Sequence, residues 1–252
     1  MKLVKVRDHE EMSAFAAKFI LDKIKSNKKV ALGLATGGTP VRTYEMLIED
    51  YQKNYTSYQN VFTYNLDEYE GIAPDDPNSY HAFMFKHLFD HINIPKKNVH
   101  IPNGLSNDIL LEAINYEAMI DEIGGVDLQL LGIGQNGHIG FNEPGTPFDR
   151  ETHVVTLTES TRKANSRYFE SNDQVPKKAI TMGIATILKS KEILLLASGE
   201  SKAKAICRMF TGEPGTDCPA SVLKNHPNVV VVADEKAVSK LEATMNVELL
   251  LR

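Results

Sequence analysis

The chain has 252 residues, of which 42% are apolar and 24% charged, as in ordinary globular proteins large enough to bury a substantial core. Its 28 basic and 33 acidic residues give a net charge of −5, so composition offers no basic surface for nucleic acid or an anionic membrane. Two cysteines supply neither a disulfide framework nor a zinc-binding spacing, and neither a signal peptide nor a membrane-spanning segment is recognisable. We therefore expect one cytoplasmic domain that spans residues 1–252.

Strands and helices are predicted to alternate along the chain. The strands are short apolar runs bounded by turns, expected at 3–6, 30–35, 61–65, 98–101, 126–133, 153–157, 193–197 and 229–232. The helices have apolar residues at helical spacing, expected at about 8–29, 40–48, 79–91, 109–123, 160–169, 179–188, 201–210 and from 234 onward. This order predicts a single open, mostly parallel twisted sheet with helices on both faces, a Rossmann-like α/β fold.

Four polar loops follow predicted strands of this sheet. They comprise residues 36–40, 66–69, 134–143 and 198–202. Ligands of open parallel sheets bind outside the carboxyl ends of the strands. We therefore expect the four loops to converge on one crevice that forms the active site.

The stretch LGIGQNGHIGFNEPG, residues 131–145, is the richest in chemistry. His138 can take and return a proton near neutral pH, and Glu143 could hold its second ring nitrogen. Residues 132–137 also satisfy the G-x-G-x-x-G pattern of dinucleotide-binding loops, but glycines and prolines between 140 and 147 prevent the helix that this pattern requires. A surface loop whose histidine has no chemical role is the remaining alternative.

Two other loops have the composition of anion sites. In LATGGTP, residues 34–40, backbone N–H groups at a helix start and two threonine hydroxyls could hold a phosphate, although a plain tight turn would use the same glycines. The lysine and spacing of a Walker A loop are absent. Residues 198–202 repeat the arrangement with Lys202, and Arg167 could add a bidentate guanidinium.

Acidic and histidine-rich segments have less specific patterns. In NLDEY, residues 65–69, Asp67 directly follows the last apolar residue of a strand and could point inward, where burial would raise its pKa toward that of a useful base. For Glu68 we prefer a solvated acidic turn. The histidines at 81, 87 and 91 share one predicted helix, but its apolar residues favour an amphipathic core helix, and we predict no metal site.

Six segments of the chain resemble the glucosamine-6-phosphate deaminase family, also called glucosamine-6-phosphate isomerase, and occur in the family's order. They are LATGGTP (34–40), YNLDEYEG (64–71), GIGQNGHIGFNEP (132–144), LTESTRKANSRYF (157–169), QVPKKAITMGI (174–184) and SGESKA (198–203). The resemblance spans most of the chain. It implies conversion of glucosamine 6-phosphate and water into fructose 6-phosphate and ammonia, without a metal or organic cofactor.

The same resemblance implies roles for individual residues. Asp67 resembles the base that moves a proton from the second carbon to the first, and His138 resembles the acid/base of ring opening, with Glu143 and Asn136 as its partners. Some relatives carry an aspartate where Asn136 stands, and an amide can orient His138 but cannot share its proton. The phosphate would be bound by Thr36, Gly37, Gly38, Thr39, Arg167 and Lys202.

The resemblance also bears on motion and assembly. Residues around 153–182 are expected to move as a lid over the sugar, because ring opening and imine chemistry benefit from excluded water. Longer relatives form allosteric hexamers activated by N-acetylglucosamine 6-phosphate. Since this chain ends soon after its last predicted helix, neither hexamer nor activator site is carried over, and a homo-oligomer is left open.

Two alternative functions are weighed against the deaminase. A 6-phosphogluconolactonase-like hydrolase would share the sheet and the phosphate turn, but lactone hydrolysis gives no role to a carbon-acid base such as Asp67. A non-catalytic sugar-phosphate-sensing domain would be attached to a DNA-binding segment, and none is recognisable before Val30.

Overall fold

The computed structural model describes residues 1–166, 169, 171 and 174–244. Ten strands occur in this part of the chain: β1 (Lys2–Val6), β2 (Val30–Leu34), β3 (Val61–Asn65), β4 (Asp67–Tyr69), β5 (Val99–His100), β6 (Leu128–Gly132), β7 (His153–Thr156), β8 (Lys178–Thr181), β9 (Ile193–Ala197) and β10 (Val229–Asp234). The helices are α1 (His9–Ser26), α2 (Val41–Asn54), α3 (Tyr80–His87), α4 (Ile109–Glu122), α5 (Glu159–Asn165), α6 (Ile184–Leu188), α7 (Ala203–Thr211) and α8 (Glu235–Glu242).

Seven strands form one open sheet in the order β1-β10-β9-β6-β2-β3-β5, and every pairing in it is parallel. Apolar runs such as ILLLA in β9 are buried along their whole length, as expected for strands covered on both faces. Ile193 and Leu195 pack in one apolar core, and Leu194 and Leu196 pack in another. The two cores lie on opposite faces of the sheet, so the predicted open parallel sheet with helices on both faces is confirmed.

A second, three-stranded antiparallel sheet was not predicted. Its order is β4-β8-β7, with Asp67 opposite Thr181 and Thr181 opposite His153. The prediction of one sheet is therefore incomplete. The helix predicted at 179–188 is wrong in its first half, because Lys178–Thr181 is a strand and the helix covers only Ile184–Leu188.

The close approach at Gly183 explains this division. A Cβ at this position would lie 2.1 Å from the carbonyl oxygen of Arg150, so only glycine lets the chain pass between strand and helix. In the described residues, no helix combines the length and apolarity needed to cross a bilayer.

Candidate active site

The carboxyl ends of four neighbouring strands surround one cleft. β9, β6, β2 and β3 are adjacent and parallel, so the loops after them leave from one edge of the sheet. The cleft has a volume of about 1160 Å³ and is lined by residues of all four loops, which confirms their predicted convergence. The predicted site residues that line it are Thr36, Gly37, Gly38, Thr39, Asp67, Asn136, His138 and Lys202.

One end of the cleft is the turn between β2 and α2. Gly37 has φ +90°, a left-handed conformation that glycine adopts without strain, and α2 begins at Val41 after Pro40. His9, which was not predicted, donates from Nε2 to the Thr39 carbonyl oxygen at 3.0 Å and lines the cleft. The turn is therefore held from α1, and its threonines and helix-start N–H groups border the cleft, as an anion site requires.

The turn after β9 borders the same cleft. Buried Asp234 accepts hydrogen bonds from the Ser198 hydroxyl at 2.5 Å, from the Gly199 N–H at 3.0 Å and from the Ala237 N–H at 2.8 Å. Asp234 thus connects this turn to the start of α8. Lys202 lines the cleft just before α7, and Lys204 and Arg208 of α7 line it too. Arg167, the other predicted phosphate ligand, lies outside the described residues.

Asp67 is the first residue of β4 and is 7% exposed. Burial, reinforced by the neighbouring charge of Glu68, raises the pKa of Asp67 to about 8. The residue lines the cleft beside Gly140, where a Cβ would lie at an ordinary contact distance of 3.8 Å from Asp67 Oδ2. A buried carboxylate with a raised pKa is suited to accept a proton from carbon.

The environment of Glu68 differs from the predicted one. Its side chain is buried, with 3% of the residue exposed, so the preferred solvated acidic turn is wrong. Its carboxylate accepts hydrogen bonds from the backbone N–H groups of Tyr69 at 2.8 Å, Tyr80 at 3.0 Å and His81 at 2.9 Å. Burial still raises the pKa of Glu68, while these three donors act in the opposite direction.

His138 lies across the loop after β6, with its ring packed over Gly134. A Cβ at Gly134 would lie 2.3 to 2.4 Å from the ring atoms, so the histidine occupies space that only glycine leaves open. His138 Nδ1 lies 3.4 Å from Glu143 Oε2, which is ion-pair distance, although the contact does not meet the geometry of a hydrogen bond. Nδ1 faces Glu143, so Nε2 is the ring nitrogen left for a ligand.

Glu143 is held by several donors behind His138. Asn136 Nδ2 donates to its Oε2 at 2.6 Å, and the hydroxyl of Thr161 donates to Oε1. Burial alone would raise the pKa of Glu143, but the interaction with His138 and the hydrogen bonds from Thr161 and Asn136 hold it at about 2. Asn136 also accepts from the His138 N–H at 3.2 Å, so the predicted trio forms one contact network.

Some residues of the cleft were missed by the sequence analysis. Tyr80 lines it at the start of α3, stacks on Phe141 at 20° between ring planes, and donates its hydroxyl to that of Tyr69 at 3.2 Å. A tyrosine after a serine helix cap carries no signal of its own. Thr161 lies within the quoted LTEST segment, where the threonine spacing signals only a helix start. No group of three or more His, Cys, Asp or Glu side chains in the described ranges could hold a metal ion.

Comparison with known proteins agrees with this geometry. The family described as glucosamine-6-phosphate isomerases/6-phosphogluconolactonase matches residues 7–232. A glucosamine-6-phosphate deaminase of a Geobacillus species is 56% identical over 239 residues, which are 95% of both chains. A deaminase of Halalkalibacterium halodurans is 50% identical over 246 residues, 98% of this chain and 100% of the relative.

Solved structures give the same grouping. A structure described as a monomeric glucosamine-6-phosphate deaminase has a TM-score of 0.94 and 52% identity, covering 95% of this chain and 100% of the other. The 6-phosphogluconolactonase of Trypanosoma cruzi has a TM-score of 0.75 but 20% identity over 95% of this chain and 96% of its own, so it shows the fold alone. The chain therefore belongs to the family of glucosamine-6-phosphate isomerases and 6-phosphogluconolactonases, and its sequence groups it with the deaminases of that family.

Proposed function

We propose that the protein is a glucosamine-6-phosphate deaminase, which converts glucosamine 6-phosphate and water into fructose 6-phosphate and ammonia. The observation that carries the proposal is that Asp67 and His138 border the same cleft, which also reaches the threonine-rich turn after β2. High identity to several deaminases supports the same substrate. The 20% identical lactonase contributes no activity to the argument.

The phosphate of the substrate is assigned to the two turns after β2 and β9. N–H groups at the start of α2, the hydroxyls of Thr36 and Thr39, and the Lys202 ammonium provide donors and positive charge for a dianion. A Cβ at Gly37 or Gly38 would occupy open space beside the backbone. Because glycine has no Cβ, this space stays open and the phosphate can approach the backbone N–H groups. Arg167 is assigned to the same phosphate from the sequence resemblance alone.

His138 is assigned to ring opening. Its Nε2 takes the proton of the anomeric hydroxyl and returns a proton to the ring oxygen, so the cyclic sugar becomes an open-chain aldehyde. Glu143 stabilises the imidazolium that forms in between, and its low pKa keeps it charged throughout. Asn136 orients Glu143 and the loop by hydrogen bonds, without sharing the proton.

Asp67 is assigned to isomerisation. Its carboxylate removes the proton from the second carbon of the aldehyde while the aldehyde oxygen takes up a proton, which gives an enolamine. It then delivers its proton to the first carbon while the amino nitrogen gives up a proton, which gives an imine at the second. Water adds to this imine, and ammonia leaves as the ketone of fructose 6-phosphate forms. Every step is a proton transfer or a hydrolysis that these side chains and water can carry out.

We extend the proposal to a lid, to assembly and to location. The lid around 153–182 would pivot on its ends, because β7 and β8 are hydrogen-bonded into the small sheet with β4. The 52% identical neighbour is described as monomeric, and we extend that state to this protein as part of the proposal. A cytoplasmic location fits a phosphorylated substrate that does not diffuse across a bilayer.

Ammonia release from glucosamine 6-phosphate by the purified protein tests the function directly. We expect Asp67→Asn to keep sugar-phosphate binding and to lose turnover by about a thousandfold, because an amide cannot accept the proton from carbon. The exposed Asp75→Asn is the matched control, with turnover close to wild type. Absence of ammonia from the wild type at saturating substrate would refute the proposed function, and unchanged turnover in Asp67→Asn would refute the role of Asp67.

A further inference from the structure

Glu68 is a buried carboxylate that the proposed reaction does not use. It does not border the cleft, yet it stands between two elements that do. Its Oε1 accepts from the N–H groups of Tyr69 and Tyr80, and its Oε2 accepts from that of His81. Both oxygens are therefore occupied by donors of β4 and of the first turn of α3.

These contacts complete the start of α3. Ser79 caps the helix by accepting from the Ala82 N–H at 2.9 Å, and its carbonyl oxygen accepts from Phe83 at 3.0 Å. Glu68 accepts from the two N–H groups before them, those of Tyr80 and His81. A helix start leaves its first N–H groups without helical partners and favours a negative charge there. The ionised form of Glu68 satisfies both requirements.

The two elements joined by Glu68 each supply a side chain to the cleft. β4 supplies Asp67, and α3 supplies Tyr80, whose ring stacks on Phe141. α3 touches the small sheet near this point, and Tyr80 and Tyr69 hydroxyls lie 3.2 Å apart. A change at Glu68 would therefore move both Asp67 and Tyr80 relative to the bound sugar.

We propose that Glu68 is a positioning residue of the reaction, whose carboxylate fixes the strand that carries Asp67 to the helix that carries Tyr80 and places a negative charge one residue from Asp67. The inference rests on the proposed function, because the proposed function assigns to Asp67 the proton transfer between the two carbons. It concerns a residue that holds the base in place and does not touch the substrate.

The effect of the Glu68 charge on Asp67 can be measured, because few other ionisable groups lie around Asp67 among the described residues. Glu68 is the charged group beside it on β4, and the phenols of Tyr80 and Tyr116 face it from α3 and α4. Burial raises the pKa of both phenols well above its usual value, so they stay neutral where Asp67 titrates. The charge of Asp76 acts to raise the pKa of Glu68, and His138, which pairs with Glu143, lines the same cleft. Among these groups only Glu68 would be changed in the test.

The test is the pH dependence of kcat and kcat/KM for ammonia release in Glu68→Gln and Glu68→Asp. Glutamine keeps the shape and one accepting oxygen but removes the charge. We expect kcat to fall about tenfold, KM to change less than about threefold, and the acidic limb of kcat/KM to move about one pH unit lower. Aspartate keeps the charge but is too short for all three donors, so we expect a similar loss of kcat with the acidic limb in place.

Glu70→Gln is the matched control, because Glu70 is two residues along the same segment, does not line the cleft, and its carboxylate lies 3.6 Å from the Lys178 ammonium in an ion pair. Its kcat and its pH dependence of kcat/KM should match those of the wild type. A wild-type kcat and acidic limb in Glu68→Gln would overturn the inference, and so would losses of kcat in both variants with the acidic limb unmoved in both. If Glu68→Gln does not fold, a wild-type kcat in Glu68→Asp overturns it. A wild-type protein that releases no ammonia would refute the proposed function instead.

Discussion

Asp67 is buried at a cost to the stability of the protein. Its pKa is about 8 in the folded chain, whereas an unfolded aspartate titrates near about 4. The folded protein therefore binds this proton more firmly than the unfolded chain does. Proton binding by Asp67 thus favours the folded state, and this contribution to stability is fully present below pH about 4 and is lost as the pH rises through about 8. Ionised Asp67 therefore destabilises the fold at the pH where it acts as a base.

We expect Asp67→Asn to stabilise the protein at pH 8, because the amide stays neutral at every pH. The melting temperature should rise by about 5 °C at pH 8 and by much less at pH 4, where wild-type Asp67 is protonated. Scanning calorimetry at the two pH values measures this, with exposed Asp149→Asn as control. An equal shift at both pH values would show that Asp67 is not titrating in this range.

The pKa of Glu143 is shifted in the opposite direction from that of Asp67, so its effect on stability has the opposite pH dependence. Its pKa is about 2, below the value of about 4 of an unfolded glutamate, so its stabilisation is present above that value and is lost as the pH falls through about 2. We expect Glu143→Gln to melt about 3 °C lower at pH 7, with the difference shrinking toward pH 3, and kcat to fall about a hundredfold. Glu213→Gln, outside the cleft, should change neither. A normal kcat in Glu143→Gln would contradict its partnership with His138.

Single residues differed in how far the sequence could place them. Asp67 was expected to point inward because it follows Leu66, the last apolar residue of the predicted strand segment, and this position in the chain is a local feature. The burial of Glu68 depends on Tyr80 and His81, which are 12 and 13 residues away in a helix whose docking the sequence does not encode locally. The hydrogen bond from Thr161 to Glu143 joins residues 18 positions apart in the sequence, and no pattern within either segment predicts it.

Among the structural elements, the loop after β6 needs a residue without a side chain at Gly134. Gly134 has no positive φ, so alanine fits its backbone, but a Cβ would collide with the His138 ring. We expect Gly134→Ala to displace the imidazole and lower kcat by about a hundredfold, with little change in melting temperature. Gly132→Ala is the comparison within the same cleft, because its Cβ would meet no protein atom within 4 Å and so leaves the His138 ring in place. Equal activity of the two variants would argue against a role for the ring position.

The elements differ in how well their positions could be predicted from sequence patterns. Central strands of the main sheet such as β2 and β9 are continuous apolar runs, so their positions were predictable within a few residues. The small sheet has no such signal, because β4 has three residues and pairs with β8, more than a hundred residues later. Residues 179–188 were predicted as one apolar helix because short apolar runs fit either period, and the break at Gly183 depends on the distant carbonyl of Arg150.

At the scale of the whole molecule, the net charge and the cleft act on an anionic substrate in opposite directions. The chain has a net charge of −5, which repels a sugar phosphate, whereas Lys202, Lys204 and Arg208 border the cleft. Arg208 also pairs with Asp217, which lowers its share of the attraction. At 0.1 M salt the Debye length is about 10 Å, so charges spread over the surface are largely screened while those within the cleft still act on the substrate.

We therefore expect attraction within the cleft to dominate above 0.1 M salt. Raising potassium chloride from 0.1 to 0.5 M should lower kcat/KM for glucosamine 6-phosphate several-fold, with kcat at saturating substrate nearly unchanged, because screening weakens encounter and binding but not proton transfer. Lys204→Gln should reduce this salt dependence, whereas Lys240→Gln on α8, which does not border the cleft, should preserve it. A kcat/KM that rises with salt would mean that repulsion by the net charge outweighs the local cations, and the phosphate would then have to be held mainly by the N–H groups and hydroxyls of the turn after β2.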